Sequence, residues 1–280
     1  MKRLLVIGLA GLFAVIVPSR VGAQTERVLD SELGGRMSVS VDKKLLRGLH
    51  ISLEEEVRFD ENMTALNRLQ TTVGFSYKLN SLIKLGFGYA LINPYSATDN
   101  AFKSARHRMM LDATGGVRWG DWRFSLKERL QATYRTGDMN LYQAPRTALT
   151  LKSRMKVSYK GLRRIEPYAF AELRNILNAP VINAAYNTVT DTWVSPTTGL
   201  AKNDPGWFLD GFDGCYINRL RGAVGIEYNI DKHNSLDVSL MADYVMDKVV
   251  DANPKGTKLK SYTRETGLVA WFTASYSYSF

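Results

Sequence analysis

His50, Ser52 and Glu54 share one parity along a single extended stretch, and a serine, a histidine and an acid are the parts of a nucleophilic hydrolase. Neighbours two apart on a strand stand about 7 Å from one another, however, which is too far for direct proton transfer. Of the other two histidines, His107 falls on an apolar face and His233 in a tight turn. His, Cys, Asp and Glu nowhere take metal-ligand spacing, and no glycine-rich phosphate loop appears, so no metal, cofactor or catalytic residue is expected. The single Cys215, between Gly214 and Tyr216, cannot close an internal disulfide and has no activating neighbour.

What the chain does carry is a long series of cations at alternating positions. Arg68, Lys78, Lys84, Arg106, Arg108, Arg118, Arg123, Lys127, Arg129, Lys152, Arg154, Lys156, Arg219 and Arg221 fall on polar faces, shared with Glu54, Glu56, Asp112, Glu227, Asp237 and Asp243. Turned inward around a closed sheet, such faces have two uses. Arginines can bind carboxylates in a bidentate network that fills and stiffens a narrow lumen. Alternatively, rings of Arg and Lys can favour anions in transit. The first use implies an envelope-associated structural barrel with a plugged lumen, the second a small-solute channel with anion preference.

The elements that must position these faces are strands. Leu236, Val238, Leu240, Ala242, Tyr244 and Met246 alternate with Asp237, Ser239, Met241, Asp243, Val245 and Asp247. The same period of two runs through Leu69 to Leu79 and through Trp122 to Arg135. Further strands are predicted at 33–45, 49–59, 82–92, 105–119, 146–160, 165–176, 216–230 and 263–280. Many are longer than the roughly 5–6 residues of an average soluble strand and reach the ~9–11 that a tilted strand needs to cross a bilayer. Tight turns at Asn80-Ser81, Gly120-Asp121, 161–164 and 231–234 alternate with polar loops at 93–104, 136–146, 177–215 and 248–262. Short turns on one side and long loops on the other are the pattern of an antiparallel transmembrane β-barrel. Trp119 and Trp122, flanking a short turn, suit an interfacial aromatic girdle.

Both ends of the chain agree with export to the outer membrane. Lys2 and Arg3 precede an apolar run from Leu4 to Val17, then Pro18 and the small residues Val21-Gly22-Ala23. This is the pattern of a signal peptide, residues 1–23, cut after Ala23, leaving 24–280 as the barrel. Cleavage would remove three basic residues and no acids, lowering the formal charge from +10 to +7. Export and a basic lumen account for this charge, so no nucleic-acid partner is expected; anionic lipopolysaccharide is the expected contact outside. The last strand ends Tyr276, Tyr278, Phe280 on one face and resembles the C-terminal signal by which outer-membrane barrels reach the assembly machinery.

Two features do not fit the alternation. Glu55, Glu128 and Glu172 fall on otherwise apolar faces, and Glu128 lies on the order of 15 Å above Trp122, inside the apolar band. The strand count reaches eleven, whereas bacterial single-chain barrels have even numbers. An extra strand around 25–32 would make twelve, the number favoured here, and loss of 33–45 from the wall would make ten.

Several stretches in order resemble one family. These are Val39-Ser-Val-Asp-Lys-Lys-Leu45, Ser52-Leu-Glu-Glu-Glu-Val-Arg-Phe59, Arg68 with Thr71-Thr72-Val73-Gly74, Gly86-Phe87-Gly88-Tyr89, Arg106-His107-Arg108, Glu166-Pro167-Tyr168 and Gly225-Ile226-Glu227-Tyr228. The sequence is similar to the Bacteroidetes outer-membrane barrel family known only as domain of unknown function 2490. The resemblance implies an outer-membrane barrel and supplies no catalytic residues. The loop 177–215 is longer than that family leads one to expect.

Overall fold

The computed structural model describes residues 25–196 and 198–280. The expected signal peptide and its cleavage site lie outside them. The described chain is all-β, with no helix. In order, the strands are β1 (Thr25–Val28), β2 (Glu32–Leu46), β3 (Leu49–Asp60), β4 (Ala65–Lys78) and β5 (Ile83–Ser96). They continue with β6 (Ala101–Phe102), β7 (Arg106–Trp119), β8 (Trp122–Arg135), β9 (Thr147–Tyr159) and β10 (Ile165–Ile182). The last are β11 (Ala185–Asn187), β12 (Thr192–Val194), β13 (Leu209–Asn229), β14 (Asn234–Ala252) and β15 (Leu259–Ser279).

Eleven of these form the wall. Neighbours pair antiparallel from β2 through β5, β7 to β10 and β13 to β15, and β15 returns to pair with β2, so the sheet has no free edge. The expected twelfth strand is not a separate wall. Thr25 to Val28 pair with Thr263 to Thr266 of β15, in line with β2, which takes the next stretch of the same edge, Val269 to Ser279. β15 is 21 residues long and accommodates both. An odd number of alternating strands makes the first and last run the same way, so the closing pair is parallel. Mitochondrial barrels show that odd counts can close.

The wall is inverted relative to a soluble protein. Outward positions such as Leu240 and Val224 are 61% exposed, while the inward Asp243 is fully buried. The exposed apolar belt continues through Leu53, Phe75, Phe87, Leu111, Leu130 and Met155. Apolar side chains left bare on a sheet with no second layer need hydrocarbon around them, which makes this a transmembrane β-barrel. Trp119, Trp122, Tyr228, Tyr276 and Phe280 ring the turn end, with Trp122 and Tyr159 5.0 Å apart between centroids.

Turns of two to five residues close one end. Gly48 and Gly120 supply the left-handed conformations there (φ 85° and 58°). The turn at Asp231 is built on its side chain, which accepts hydrogen bonds from the His233 and Asn234 backbone N–H groups. Those bonds hold the carboxyl below its usual range.

At the other end β10, β13, β14 and β15 run past the apolar belt, so less of 177–215 and 248–262 is loop than expected. Trp193, Trp207, Phe208, Val250, Ala252 and Leu259 pack there into an apolar cluster with Tyr142. The indole N–H of Trp207 donates to the Thr257 carbonyl at 3.0 Å. From the loop joining β8 to β9, Asn140 and Gln143 reach past β10 and β13 and donate to the Ala252 carbonyl. These loops are tied across part of the mouth.

Of the three misplaced glutamates, Glu172 is a correction. It is 4% exposed and faces inward with Tyr168, Phe170 and Arg174. On β10 the inner face carries aromatics because cations cover them: Arg154 lies 4.3 Å from the Phe170 ring centre and Lys156 3.7 Å from that of Tyr168. Glu55 and Glu128 do face outward, each accepting a hydrogen bond from a cross-strand hydroxyl, Thr71 at 3.0 Å and Ser153 at 2.6 Å.

Candidate functional site

The interior holds a cavity of about 860 Å³. Its lining extends from Asp60, Arg106 and Arg135 at the loop end to Asp42, Lys84 and Arg123 at the turn end. Space exists because one arc is nearly bare: Gly74 on β4 and Gly86 and Gly88 on β5 present no side chain. A Cβ at Gly88 would stand 3.0 Å from Met110 and one at Gly86 3.2 Å from Asp112, so larger residues there would crowd the facing strand.

Of the twenty charged residues expected on the inward faces, fourteen line this cavity: Arg68, Lys84, Arg106, Arg108, Arg123, Lys127, Arg129, Lys152, Arg154, Arg219, Arg221, Glu54, Glu56 and Asp112; Lys78, Lys156, Glu227, Asp237 and Asp243 do not border it. Nor does Arg118. It is exposed beside the β7–β8 turn, where its strand leaves the enclosed lumen. Arg36, Arg58, Arg135 and Arg174 line the cavity and were not singled out. Arg58 shares parity with Glu56, and Arg135 with Arg129, so counting parity to the strand ends finds both. Arg174 was hidden by the misassigned face of β10.

Four carboxylates inside the barrel, Glu56, Asp112, Glu172 and Asp243, are each shared by more than one cation, whereas Glu54 makes no ion pair among the described residues. Arg221 clamps Asp243 with two bonds of 2.5 and 2.7 Å and reaches Glu172 at 3.2 Å. Arg154 Nε donates to Glu172 at 2.7 Å. Arg129 takes Asp112 with two bonds of 2.6 Å, and Lys127 lies 2.9 Å from the same carboxylate. Glu56 is held by Arg58 at 2.5 Å and Arg36 at 3.3 Å.

Other cations meet cations. Directly paired positions include Arg58 with Arg68, Arg106 with Arg135, Arg129 with Lys152, Lys152 with Arg174, and Arg174 with Arg219. Like charges directly opposite on a sheet repel. Among the described residues, Arg68, Arg106, Arg108, Arg123, Arg135, Lys152 and Arg174 have no carboxylate within 4.0 Å.

These features sit in a recognisable family. A family model described as "Protein of unknown function (DUF2490)" matches residues 37–203, more than half of the chain. The chain belongs to the DUF2490 family. The DUF2490 match runs from β2 through β12, so Arg219, Arg221 and Asp243 lie beyond it. No curated protein matches. Among solved structures, a NanC porin is 12% identical with a TM-score of 0.43, over 88% of this chain and 97% of that one. OmpT of Vibrio cholerae is 8% identical with a TM-score of 0.32, over 77% and 60%. At these values neither likeness carries function to this DUF2490 chain.

The remaining sequence candidates are dispersed. His50 Nδ1 is 2.9 Å from Asp42 Oδ1, and no hydrogen bond joins His50 to Ser52 among the described residues. His107 points outward and bonds the Tyr89 hydroxyl at 2.6 Å. Cys215 is exposed. No group of three or more His, Cys, Asp or Glu that could hold a metal occurs among the described residues.

Proposed function

We propose that this barrel is an outer-membrane channel for small anionic solutes. The observation that carries the reading is the lining of the lumen, which presents fifteen Arg and Lys against five Asp and Glu from one end to the other. A low-dielectric wall around an excess of fixed positive charge concentrates anions and repels cations, and the field persists at the lumen scale of about 10 Å in ordinary salt. The lumen selects solutes and does no chemistry on them. Tyr276, Tyr278 and Phe280, outward at the turn end, serve as the signal to the assembly machinery, and lipopolysaccharide surrounds the loop end.

A planar-bilayer recording of the purified chain tests this. Stepwise, anion-selective conductance is expected, and Arg106→Glu with Arg129→Glu should reverse its sign. A bilayer that stays silent would return the barrel to an envelope-associated structural role, with its charges acting only as internal cross-links.

A further inference from the structure

Part of the lumen holds cations that touch no carboxylate among the described residues, although Glu172 is within electrostatic reach of Lys152, Glu56 of Arg68 and Arg108, and Asp247 of Arg174. Lys152 and Arg174 stand directly opposite one another on β9 and β10. Arg108, on β7, is within electrostatic reach of both, and Arg68, on β4, is within reach of Arg108. None of the four makes an ion pair among the described residues. The Nε atoms of Arg68 and Arg174 are buried and donate no hydrogen bond, and Arg108 Nε donates only to the Thr133 hydroxyl at 3.0 Å.

Elsewhere in this lumen Arg36, Arg58, Arg129, Arg154, Arg219 and Arg221 each reach a carboxylate, so much of the positive charge is balanced from within, and another directly opposed pair without one, Arg106 and Arg135, stands at the loop end. Here, with no carboxylate in contact, a solute can supply the direct partner that the protein does not. A halide neutralises one unit and offers a single point of contact. A phosphate group carries about 1.5 to 2 negative charges at neutral pH and several acceptor oxygens, which match the forked donors of arginine and the point charge of lysine. We propose that Lys152, Arg174, Arg108 and Arg68 form a binding subsite for a phosphate group. The subsite rests on the reading of the lumen as an anion path and narrows the solute class to multiply charged oxyanions.

The test is calorimetric titration of the full chain in detergent micelles against a constant chloride background, with inorganic phosphate and with glycerol 3-phosphate. Saturable binding is expected that weakens at least tenfold in the double variant Lys152→Gln, Arg174→Gln and is unchanged in Arg118→Gln. Binding of both probes identifies phosphorylated solutes, and binding of inorganic phosphate alone identifies the free ion. Absence of saturable binding, or equal binding by the double variant, overturns the subsite. Heat-modifiable migration on gels verifies that each variant is a folded barrel; Arg108→Gln, expected to weaken binding in the same direction, decides the matter if the double variant does not fold. Phosphate binding without current would leave the subsite standing and defeat the channel, whereas anion current without phosphate binding would do the reverse.

Discussion

Two rows of side chains cross β8, β9, β10 and β13 two residues apart, one with acids set among its cations and one without. The first reads Lys127, Arg154, Glu172, Arg221 and ends on β14 at Asp243. The second reads Arg129, Lys152, Arg174, Arg219 and ends on β14 at Val245. Two acids tie the first row together: Glu172 and Asp243, 4% and 0% exposed, bridge its Arg154 and Arg221, and Asp243 also reaches Arg219 of the second row. In the second row Arg129 and Arg219 turn to acids outside it, at Asp112, Asp243 and Asp247, which leaves Lys152 and Arg174 facing each other. One row holds strands together; the other maintains a field. Lumen charge is therefore not a single property, since the same residue types stabilise or repel according to what the register places beside them.

The comparison can be broken first at Asp243. Asp243→Asn leaves Arg221 without its bidentate partner and Arg219 without one of its two acids, and buried pairs broken on one side lose about 3–5 kcal/mol. Urea titration of the folded, heat-modifiable form should show that loss; a change under ~1 kcal/mol would mean that the first row does not cross-link the wall. The second row should respond with the opposite sign. Lys152→Met removes two direct like-charge contacts and should raise stability by about 1 kcal/mol in phosphate-free buffer while lowering anion selectivity. If it destabilises the barrel instead, Lys152 is a structural cross-link and the two rows do not differ in kind. The smallest effect belongs to Glu128, which lies between Lys127 and Arg129 on β8 but faces outward. Glu128→Leu should gain roughly 1 kcal/mol by removing a charge from the lipid side, with no change in selectivity. A shift in selectivity would place Glu128 in the lumen's field and blur the distinction between the faces.

Much of the fold was legible because a membrane barrel writes its two solvents into alternate residues. The period of two in 236–247 and 122–135, the sorted turns and the aromatic C-terminus identified strands, sidedness and closure. Reading failed where one face carried both chemistries. On β10, Tyr168 and Phe170 look like lipid-facing rings until Arg154 and Lys156 are found stacked on them, which is why Glu172 reads as a charge on an apolar face and Arg174, of the same parity, gives no lumen signal. The count of eleven wall strands holds, and only the adjustment to twelve fails, for a different reason. Residues 25–28 do form a strand, but whether they make a new wall or extend β2 along β15 depends on the length of a partner more than 230 residues away.

The sequence by itself determined that this chain is a barrel whose strands carry an apolar face and a polar, charged one, because parity along each strand follows from covalent geometry alone. Only the tertiary structure decided which cations are balanced. Register, bulges and the parallel closure choose each residue's cross-strand neighbour, and at a few ångströms that neighbour sets whether a charge is a cross-link or an unmet demand for an anion.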